Sequence, residues 1–326
     1  MTTTATQPAP PPAAGPPAAA AAPAARGRGR VALRRFAAGR NAVTSAAVLL
    51  LLFLLAFVGP YFTHWSHTDI DYSALREAPS ADHWWGTNRI GQDVYAQVLH
   101  GLQKSLLIGL LTALTATVLA SVVGACAGYF GGWTDRIMTF FIDLLLVFPA
   151  FLIIAIVSPR LRDSGWIVFV ALLAVFGWMI TARVVRSMTR SLREREFVRA
   201  AQLMGVHPLR IIVRHILPNV SSFLIVDATI AVGGAVMSET GLSYFGFGVQ
   251  PPDVSLGTLI ADGSDAALTY PWMFFFAAGL LVVFVLAVNF LGDGLRDALD
   301  PTSGHPRTRR RPRRNGHQPG PRRPPT

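Results

Sequence analysis

Cysteine and lysine are almost absent from this chain of 326 residues, which holds one of each, Cys126 and Lys104. A single cysteine excludes an intrachain disulfide and a zinc site built from several cysteines. Charged residues make up only 14% of the chain, whereas a soluble domain carries about 25%. Because hydrophobic residues make up 52%, the composition is typical of a membrane protein.

Acidic residues are missing from both ends of the chain. Residues 1–41 hold six arginines and residues 301–326 hold eight, with no acid in either stretch. The formal net charge of +11 therefore belongs to the tails and not to a folded basic face, so we expect no nucleic-acid partner. Both stretches are rich in proline, arginine and small residues, which predicts two disordered tails, residues 1–41 and 301–326.

Long apolar runs occur between the tails, and each is long enough to cross a lipid bilayer. They are residues 42–62, 105–128, 137–157, 166–182, 218–238 and 272–291. Pro149 lies inside the third run and predicts a kink there. The sequence therefore predicts an all-α membrane protein, with six transmembrane helices in one domain, residues 42–300.

Basic residues are unequally distributed between alternate loops. With the N-terminus placed in the cytoplasm, the inside segments hold 24 of the 29 basic residues and the outside segments hold five. The positive-inside rule then predicts a multi-pass protein with both termini cytoplasmic. Two outside segments are long. Residues 63–104 contain His and Trp residues that suit the membrane interface. Residues 241–271 are rich in glycine and aromatic residues, which predicts a packed, irregular cap or a short re-entrant element.

The inside segment of residues 183–217 is too long for a simple connector and carries eight arginines against two glutamates. Apolar side chains recur there at helical spacing, at Leu192, Val198, Ala201 and Met204. Gly205 ends this predicted helix and Pro208 suits the first turn of the next one. A short helix with small residues can dock in a groove of another protein. The alternative is a basic loop held against anionic lipid headgroups.

Sequence strings around this loop carry a family resemblance. Residues 199–218, which read Arg-Ala-Ala-x3-Gly-x9-His-Ile-Leu-Pro, resemble the EAA loop of ABC importer permeases. Arg199 replaces the usual Glu there, and His215 replaces the usual Ile. Three further strings, residues 85–94, 241–252 and 289–301, resemble elements of the dipeptide/oligopeptide/nickel branch, with Asn88 and Gln92 replacing Asp and Arg in the first. The chain is thus similar to the C-type permease subunits of that branch.

The resemblance implies a type I ABC importer permease fold, with a cytoplasmic coupling helix between transmembrane helices 4 and 5. It implies a second homologous permease subunit in a heterodimer, two ATPase subunits on the cytoplasmic side and an extracytoplasmic peptide-binding protein. ATP and Mg would be bound by the ATPase subunits. We expect no cofactor, metal site or catalytic residue in this chain, which contains neither a G-x4-G-K-[ST] nor an H-E-x-x-H string.

The implied function is the uptake of di- or oligopeptides across the bacterial cytoplasmic membrane, with nickel or a glutathione-like peptide as alternative substrates. The implied ATPase-coupling residues belong to the EAA loop. They are Glu196, Phe197, Arg199, Ala200, Ala201, Met204, Gly205, His207 and Pro208.

Ionisable residues at or near membrane depth are energetically unfavourable and are candidates for the translocation path. There are three, Asp143, Asp227 and Glu239. Asp143 lies close to the cytoplasmic end of its span, so we expect it to bond to Arg136 or Arg183. Asp227, near the middle of span five, either lines the path or forms an interhelical hydrogen bond. Glu239 either contacts the binding protein or holds the cap. A proton-driven secondary transporter acting through Asp143 and Asp227 is the alternative from another class, although no inverted repeats are visible.

Overall fold

The computed structural model describes residues 25–160 and 165–299, and most of these residues are helical. The helices, in chain order, are α1 (Ala25–Ala38), α2 (Arg40–Val58), α3 (Val94–Phe130), α4 (Gly132–Val147), α5 (Ala150–Val157), α6 (Trp166–Gly177), α7 (Met179–Arg193), α8 (Glu196–Leu203), α9 (Pro208–Ile211), α10 (Leu217–Tyr244), α11 (Leu256–Ser264) and α12 (Trp272–Leu299). A 3₁₀ turn, Gly59–Phe62, follows α2, and a π turn, Ile212–Ile216, joins α9 to α10.

Within the described ranges, four helical stretches are long and apolar enough to cross a membrane unaided. They are Arg40–Phe62, Val94–Phe130, Pro208–Tyr244 and Trp272–Leu299. Two bent pairs supply up to two more spans, α4 with α5 at 76° and α6 with α7 at 46°. The described part of the chain therefore has four to six candidate spans, and it matches the six predicted ones if each bent pair crosses the membrane as one broken helix.

Pro149 accounts for the larger of these bends. Phe148, which precedes it, has an extended backbone with ψ 131°, and α4 ends one residue earlier. A residue before proline is driven out of the helical region by the proline ring, and proline itself cannot donate the next helical hydrogen bond. The kink that the sequence predicts is thus confirmed, and it is sharp enough to separate two helices.

Helix α3 is longer than the span predicted for it. Its 37 residues extend over about 55 Å at the usual rise per residue. The Asp93 side chain caps its first turn by accepting a hydrogen bond from the Ala96 amide at 2.7 Å. The first turns, Val94 to Leu102, are mostly buried, because they lie beneath the segment that joins α2 to α3.

Two glycines bring α3 against α7. Gly124 and Gly128 lie one helical turn apart on the same face. A Cβ atom on Gly124 would lie 2.5 Å from the Ala182 carbonyl oxygen, and one on Gly128 would lie 2.6 Å from the Arg186 carbonyl oxygen. This spacing of small residues permits the close backbone approach common between membrane helices. The pairing also shows that α3 and α7 run parallel.

The two ends of the bundle differ. At one end, residues 63–93 and 245–271 form a packed cap over the start of α3 and of α12. Trp85 stacks on Phe276 at 4.4 Å between ring centroids, and the Trp272 indole donates to the Thr87 carbonyl at 3.1 Å. At the other end lie α8 and α9, and we call this the basic end. Of the two expectations for residues 241–271, the structure fits the packed cap.

Residues 25–38 correct one sequence expectation. They fall inside the stretch predicted to be disordered but form α1, which contacts α2 and α12. Alanine and arginine both favour helix, and the half-buried Phe36 gives this helix a packing contact. Residues 1–24 and 300–326 lie outside the described residues, so the disorder of those parts of the tails stays a prediction.

Candidate functional site

Helix α8 is the EAA helix, and its C-terminus is set by Gly205. Gly205 has φ +70°, a left-handed conformation that suits glycine. Its amide donates to the Gln202 carbonyl at 3.0 Å, and the Val206 amide donates to the Ala201 carbonyl at 3.1 Å. This pair of bonds is a Schellman motif. Pro208 then occupies the first turn of α9. The predicted turn and second helix are present, but the first helix begins only at Glu196, because Leu192 belongs to α7.

One face of α8 packs against its own chain. Val198 is 0% exposed and Ala201 is 2% exposed. They belong to an apolar cluster with residues of α3, α7, α9 and α10, which includes Tyr129, Val185, Ile211 and Ile216. The prediction that Ala201 lies on the docking surface is therefore wrong, because its side chain faces the interior of the subunit. This packing holds α8 to the membrane helices.

Exposed apolar side chains lie on α8 and at its C-terminus, beside the exposed charged residues Glu196 and Arg199. Leu203 is 90% exposed, Met204 is 75% exposed and Phe197 is 43% exposed. Leu203 was not among the predicted coupling residues. The sequence could have indicated its exposure, because successive residues of a helix are rotated by about 100°. Leu203 therefore points some 200° away from Ala201. Most of the other predicted coupling residues are also exposed, namely Glu196, Arg199, Ala200, Gly205 and His207, whereas Pro208 is half-buried.

Helix α7 connects α8 to the membrane helices. It does not end near residue 182, as the predicted span did, but continues to Arg193. Arg186 forms a two-pronged ion pair with Asp135 of α4, one bond of which measures 2.7 Å. Arg183 pairs with Asp143, also of α4. The expected bond between Asp143 and a loop arginine is thus confirmed, and its partner is Arg183.

Asp227 joins α10 to α7. Its carboxylate accepts a hydrogen bond from the Thr181 hydroxyl at 2.7 Å. The interhelical bond that was one of two interpretations of Asp227 is therefore present. Asp227 also lines a depression of about 430 Å³ between α10 and α12, so the carboxylate keeps access to open space.

Glu239 is completely buried, near the cap end of α10. Its carboxylate accepts hydrogen bonds from Ser243 and Ser255, each at 2.6 Å, and from Ser105 at 3.4 Å. Ser255 is the N-cap residue of α11, which belongs to the cap. A side chain with no exposed surface does not line a path in this conformation. Of the two roles expected for Glu239, the structure fits the one that holds the cap.

The cap also encloses a cavity of about 450 Å³. Arg89 donates to the Asp262 carbonyl at 2.6 Å at its edge. Burial raises the pKa of the Asp262 carboxyl, and the charge of Arg89 partly opposes that shift. Asn88 donates to the Gln92 side chain at 2.9 Å. The two residues that replace Asp and Arg in the resembled pattern therefore bond to each other as a neutral pair.

Comparison with known proteins gives the family. Residues 103–304 match the family described as binding-protein-dependent transport system inner membrane component. The chain belongs to this family. Residues 27–79 match a second family, described as the N-terminal transmembrane domain of oligopeptide transport permease C. The chain is thus a multi-pass inner-membrane permease, and the resemblance drawn from its sequence strings is confirmed.

Several curated relatives cover most of this permease. The oligopeptide transport system permease protein OppC of Mycobacterium tuberculosis is 56% identical over 277 residues, which are 85% of this chain and 95% of that protein. Proteins of the same name are 36% identical in Haemophilus influenzae, over 83% of this chain and 87% of theirs, and 33% identical in Bacillus subtilis, over 83% and 88%.

A solved structure supports the fold. An inward-facing form of the MetNI methionine ABC transporter matches 63% of this chain and 96% of its own chain, with a TM-score of 0.50 and 19% sequence identity. At that identity the match concerns the fold alone. The permease therefore has the helical architecture of an ABC importer subunit, as the sequence predicted.

Proposed function

We propose that this chain is a permease subunit of an ABC importer that takes up di- and oligopeptides. It pairs with a second homologous permease as a heterodimer and contacts two ATPase subunits on the cytoplasmic side. An extracytoplasmic peptide-binding protein delivers the substrate to the cap. ATP and Mg are bound by the ATPase subunits, so this chain is not an enzyme. Its family and the names of its relatives support this proposal.

The orientation follows from the basic residues. The basic end of the bundle and both termini lie in the cytoplasm, since arginine is concentrated in those segments. The cap then lies outside. In this arrangement the coupling helix faces the ATPase subunits and the cap faces the binding protein, as the proposed contacts require.

The observation that carries the proposal is the two-faced geometry of α8. Leu203 and Met204 offer an apolar contact surface to a partner, while Val198 and Ala201 fix the helix to α3 and α7. Closure of the ATPase pair displaces α8, and α7 moves with it. Because α7 is joined to α4 by Arg186 and to α10 by Thr181, the displacement reaches several membrane helices at once. This is a physical route to alternating access.

The test is Leu203→Asp in the complete importer, measured as ATP-driven uptake of a peptide into proteoliposomes. A charge on this exposed side chain leaves the fold intact but opposes burial in the ATPase cleft. We expect loss of ATPase co-purification and at least a tenfold loss of uptake. Uptake equal to that of the unmodified complex would reject the docking role.

Two controls accompany this test. Leu203→Met preserves an apolar contact and should keep uptake within about twofold, as volume-conserving apolar changes are well tolerated. Leu33→Asp places the same charge on an exposed leucine of α1, distant from α8, and should leave ATPase association unchanged. Uptake that needs ATP and survives a protonophore would separate this mechanism from a proton-driven transporter acting through Asp143 and Asp227.

A further inference from the structure

The depression between α10 and α12 has opposite charges on its two walls. Asp227 of α10 and Arg296 of α12 both line it, together with Ser222, Phe223 and Val226 among others. Its volume of about 430 Å³ falls within the range of small-molecule sites. The ATPase-coupling surface lies elsewhere, on α8, and the proposed coupling mechanism uses Asp227 only as the acceptor of the hydrogen bond from Thr181.

Both charges are available to a ligand. Within residues 25–160 and 165–299, no ion pair within 4.0 Å joins Asp227 or Arg296 to another charged residue. The hydrogen bond from Thr181 fixes the Asp227 carboxylate without neutralising it. An ionisable group in a membrane helix is energetically unfavourable unless it faces a partner or a polar cavity. Two opposite charges on the walls of one open depression therefore point to a ligand that carries both charges.

The depth of the two groups can be compared through a helix contact. Gly292 of α12 lies against Ile230 of α10, and the two helices run antiparallel, since Gly233 lies against Val288. Asp227 is three residues from Ile230 and Arg296 is four residues from Gly292. At 1.5 Å per residue these steps are about 4.5 and 6 Å in the same direction. The two residues thus lie at nearly the same level along the helix pair.

The usual spacing of two packed helices is on the scale of a short peptide. Packed helices have axes about 8–10 Å apart. A fully extended dipeptide spans about 7 Å from end to end. A carboxylate accepts hydrogen bonds from an ammonium group, and a guanidinium recognises a carboxylate with two parallel bonds.

We propose that this depression binds the two charged ends of a zwitterionic substrate, with its ammonium at Asp227 and its carboxylate at Arg296. The inference rests on the proposed function and narrows its substrate to a peptide with free termini. A bare nickel ion is a poorer occupant, because one carboxylate beside a guanidinium offers neither the ligands nor the charge that a divalent metal requires. In the orientation proposed above, the depression lies toward the cytoplasmic side of the subunit.

The test measures binding without the external binding protein, whose own selectivity would mask that of the permease. The complete permease–ATPase complex in nanodiscs is titrated with trialanine, N-acetyl-trialanine and trialaninamide by saturation-transfer NMR. We expect trialanine to bind about tenfold more tightly than either capped peptide, the lower end of what a hydrogen bond to a charged group contributes. Asp227→Asn should abolish the preference for a free amine only. Arg296→Gln should abolish the preference for a free carboxylate only.

The controls separate recognition from folding. Asp227→Glu retains the charge and should retain the amine preference. Asp293→Asn removes an acid of α12 that borders a different depression and should change neither preference. Equal binding of the three peptides to the unmodified complex, no detectable binding, or an equal loss of all three in Asp227→Asn would overturn the inference. Uptake of trialanine by the unmodified importer is measured alongside, since its absence would instead reject peptide transport itself.

Discussion

The cap end and the basic end of this subunit use their polar groups in opposite ways. At the cap end, four polar side chains are almost completely buried, namely His83, Thr87, Ser255 and Glu239. Each of them forms a hydrogen bond inside the protein. The His83 imidazole, for example, lies 3.0 Å from the Asp93 carboxylate. At the basic end, the side chains of the two ion pairs are partly exposed to solvent. The apolar side chains of Leu203 and Met204 are largely exposed there as well. The cap is thus stabilised from within, whereas the basic end presents a surface for a partner.

This difference indicates how one subunit serves two partners. A buried polar network fixes a single arrangement of the elements it joins, because breaking any bond leaves a donor or acceptor unsatisfied. An exposed apolar face on a short helix can be displaced without breaking such a network. The contrast predicts that substitutions in the cap act first on folding and those at the basic end act first on coupling.

The largest expected effect is that of Glu239→Ala. It leaves the hydroxyl groups of Ser105, Ser243 and Ser255 without their shared acceptor, and each unsatisfied buried group costs about 1–3 kcal/mol. We expect the free energy of unfolding to fall by about 3 kcal/mol or more, seen as a lower thermal midpoint of the detergent-solubilised complex. Glu239→Gln keeps an acceptor oxygen and should lose much less. Equal midpoints for both variants would remove the contrast between the two ends.

Gly124→Leu is expected to have the next largest effect. The new side chain overlaps the Ala182 carbonyl, whose oxygen is 2.5 Å from the position of a Cβ. Overpacking of this kind costs about 1–3 kcal/mol, and it also separates α3 from α7. The control is Gly279→Leu, where nothing lies within 4 Å of a Cβ. A thermal midpoint that falls no further in Gly124→Leu than in the control would show that this helix contact is not needed.

Arg186→Met and Arg183→Met should differ from each other. The Arg186–Asp135 pair has exposed fractions of 25% and 15%, against 49% and 53% for Arg183–Asp143. Exposed pairs contribute about 0–1 kcal/mol, because water screens them. We expect uptake to fall more in Arg186→Met, by about tenfold, than in Arg183→Met, by twofold or less. The reverse order, measured in the same proteoliposomes, would contradict the role given to α7.

Gly205→Ala should have a smaller effect than Arg186→Met. A residue with a Cβ in the left-handed conformation costs about 1–2 kcal/mol, but no atom lies within 4 Å of the new methyl group. The end of α8 loosens without any clash elsewhere. We expect the thermal midpoint to fall by only a few degrees, because the cost is local, and ATP-driven uptake to fall two- to fivefold. A marked loss of stability would place Gly205 with the cap residues rather than with the coupling surface.

Local sequence signals predicted much of this structure. The hydrophobic runs predicted the spans, Pro149 predicted the kink and Gly205 predicted the end of α8, since each effect depends on a few neighbouring residues. The pairing of Asp143 with an arginine also followed from position in the membrane. Family strings supplied the rest of the assignment, because no composition or periodicity identifies an importer.

Other features depend on distant residues and could not be predicted. The partners of Glu239 include Ser105, which is 134 positions away in the chain. The inward orientation of Ala201 depends on how α8 follows the unexpected continuation of α7 to Arg193. The level of Asp227 relative to Arg296 of α12 could not be read from α10 alone. Its level follows only from the contact of Ile230 with Gly292.

Helix α3 touches both ends of the molecule as one uninterrupted helix. Its first turns lie under the cap, and its last turns carry Tyr129, whose hydroxyl lies 3.3 Å from the Gln202 side chain of α8. Any equilibrium that this helix couples obeys reciprocity, since the free energy by which one ligand alters the binding of another is the same in both directions. If α3 couples the two ends, the factor by which an ATPase pair changes the affinity of the cap for its external partner equals the factor by which that partner changes the affinity of α8 for the ATPase pair.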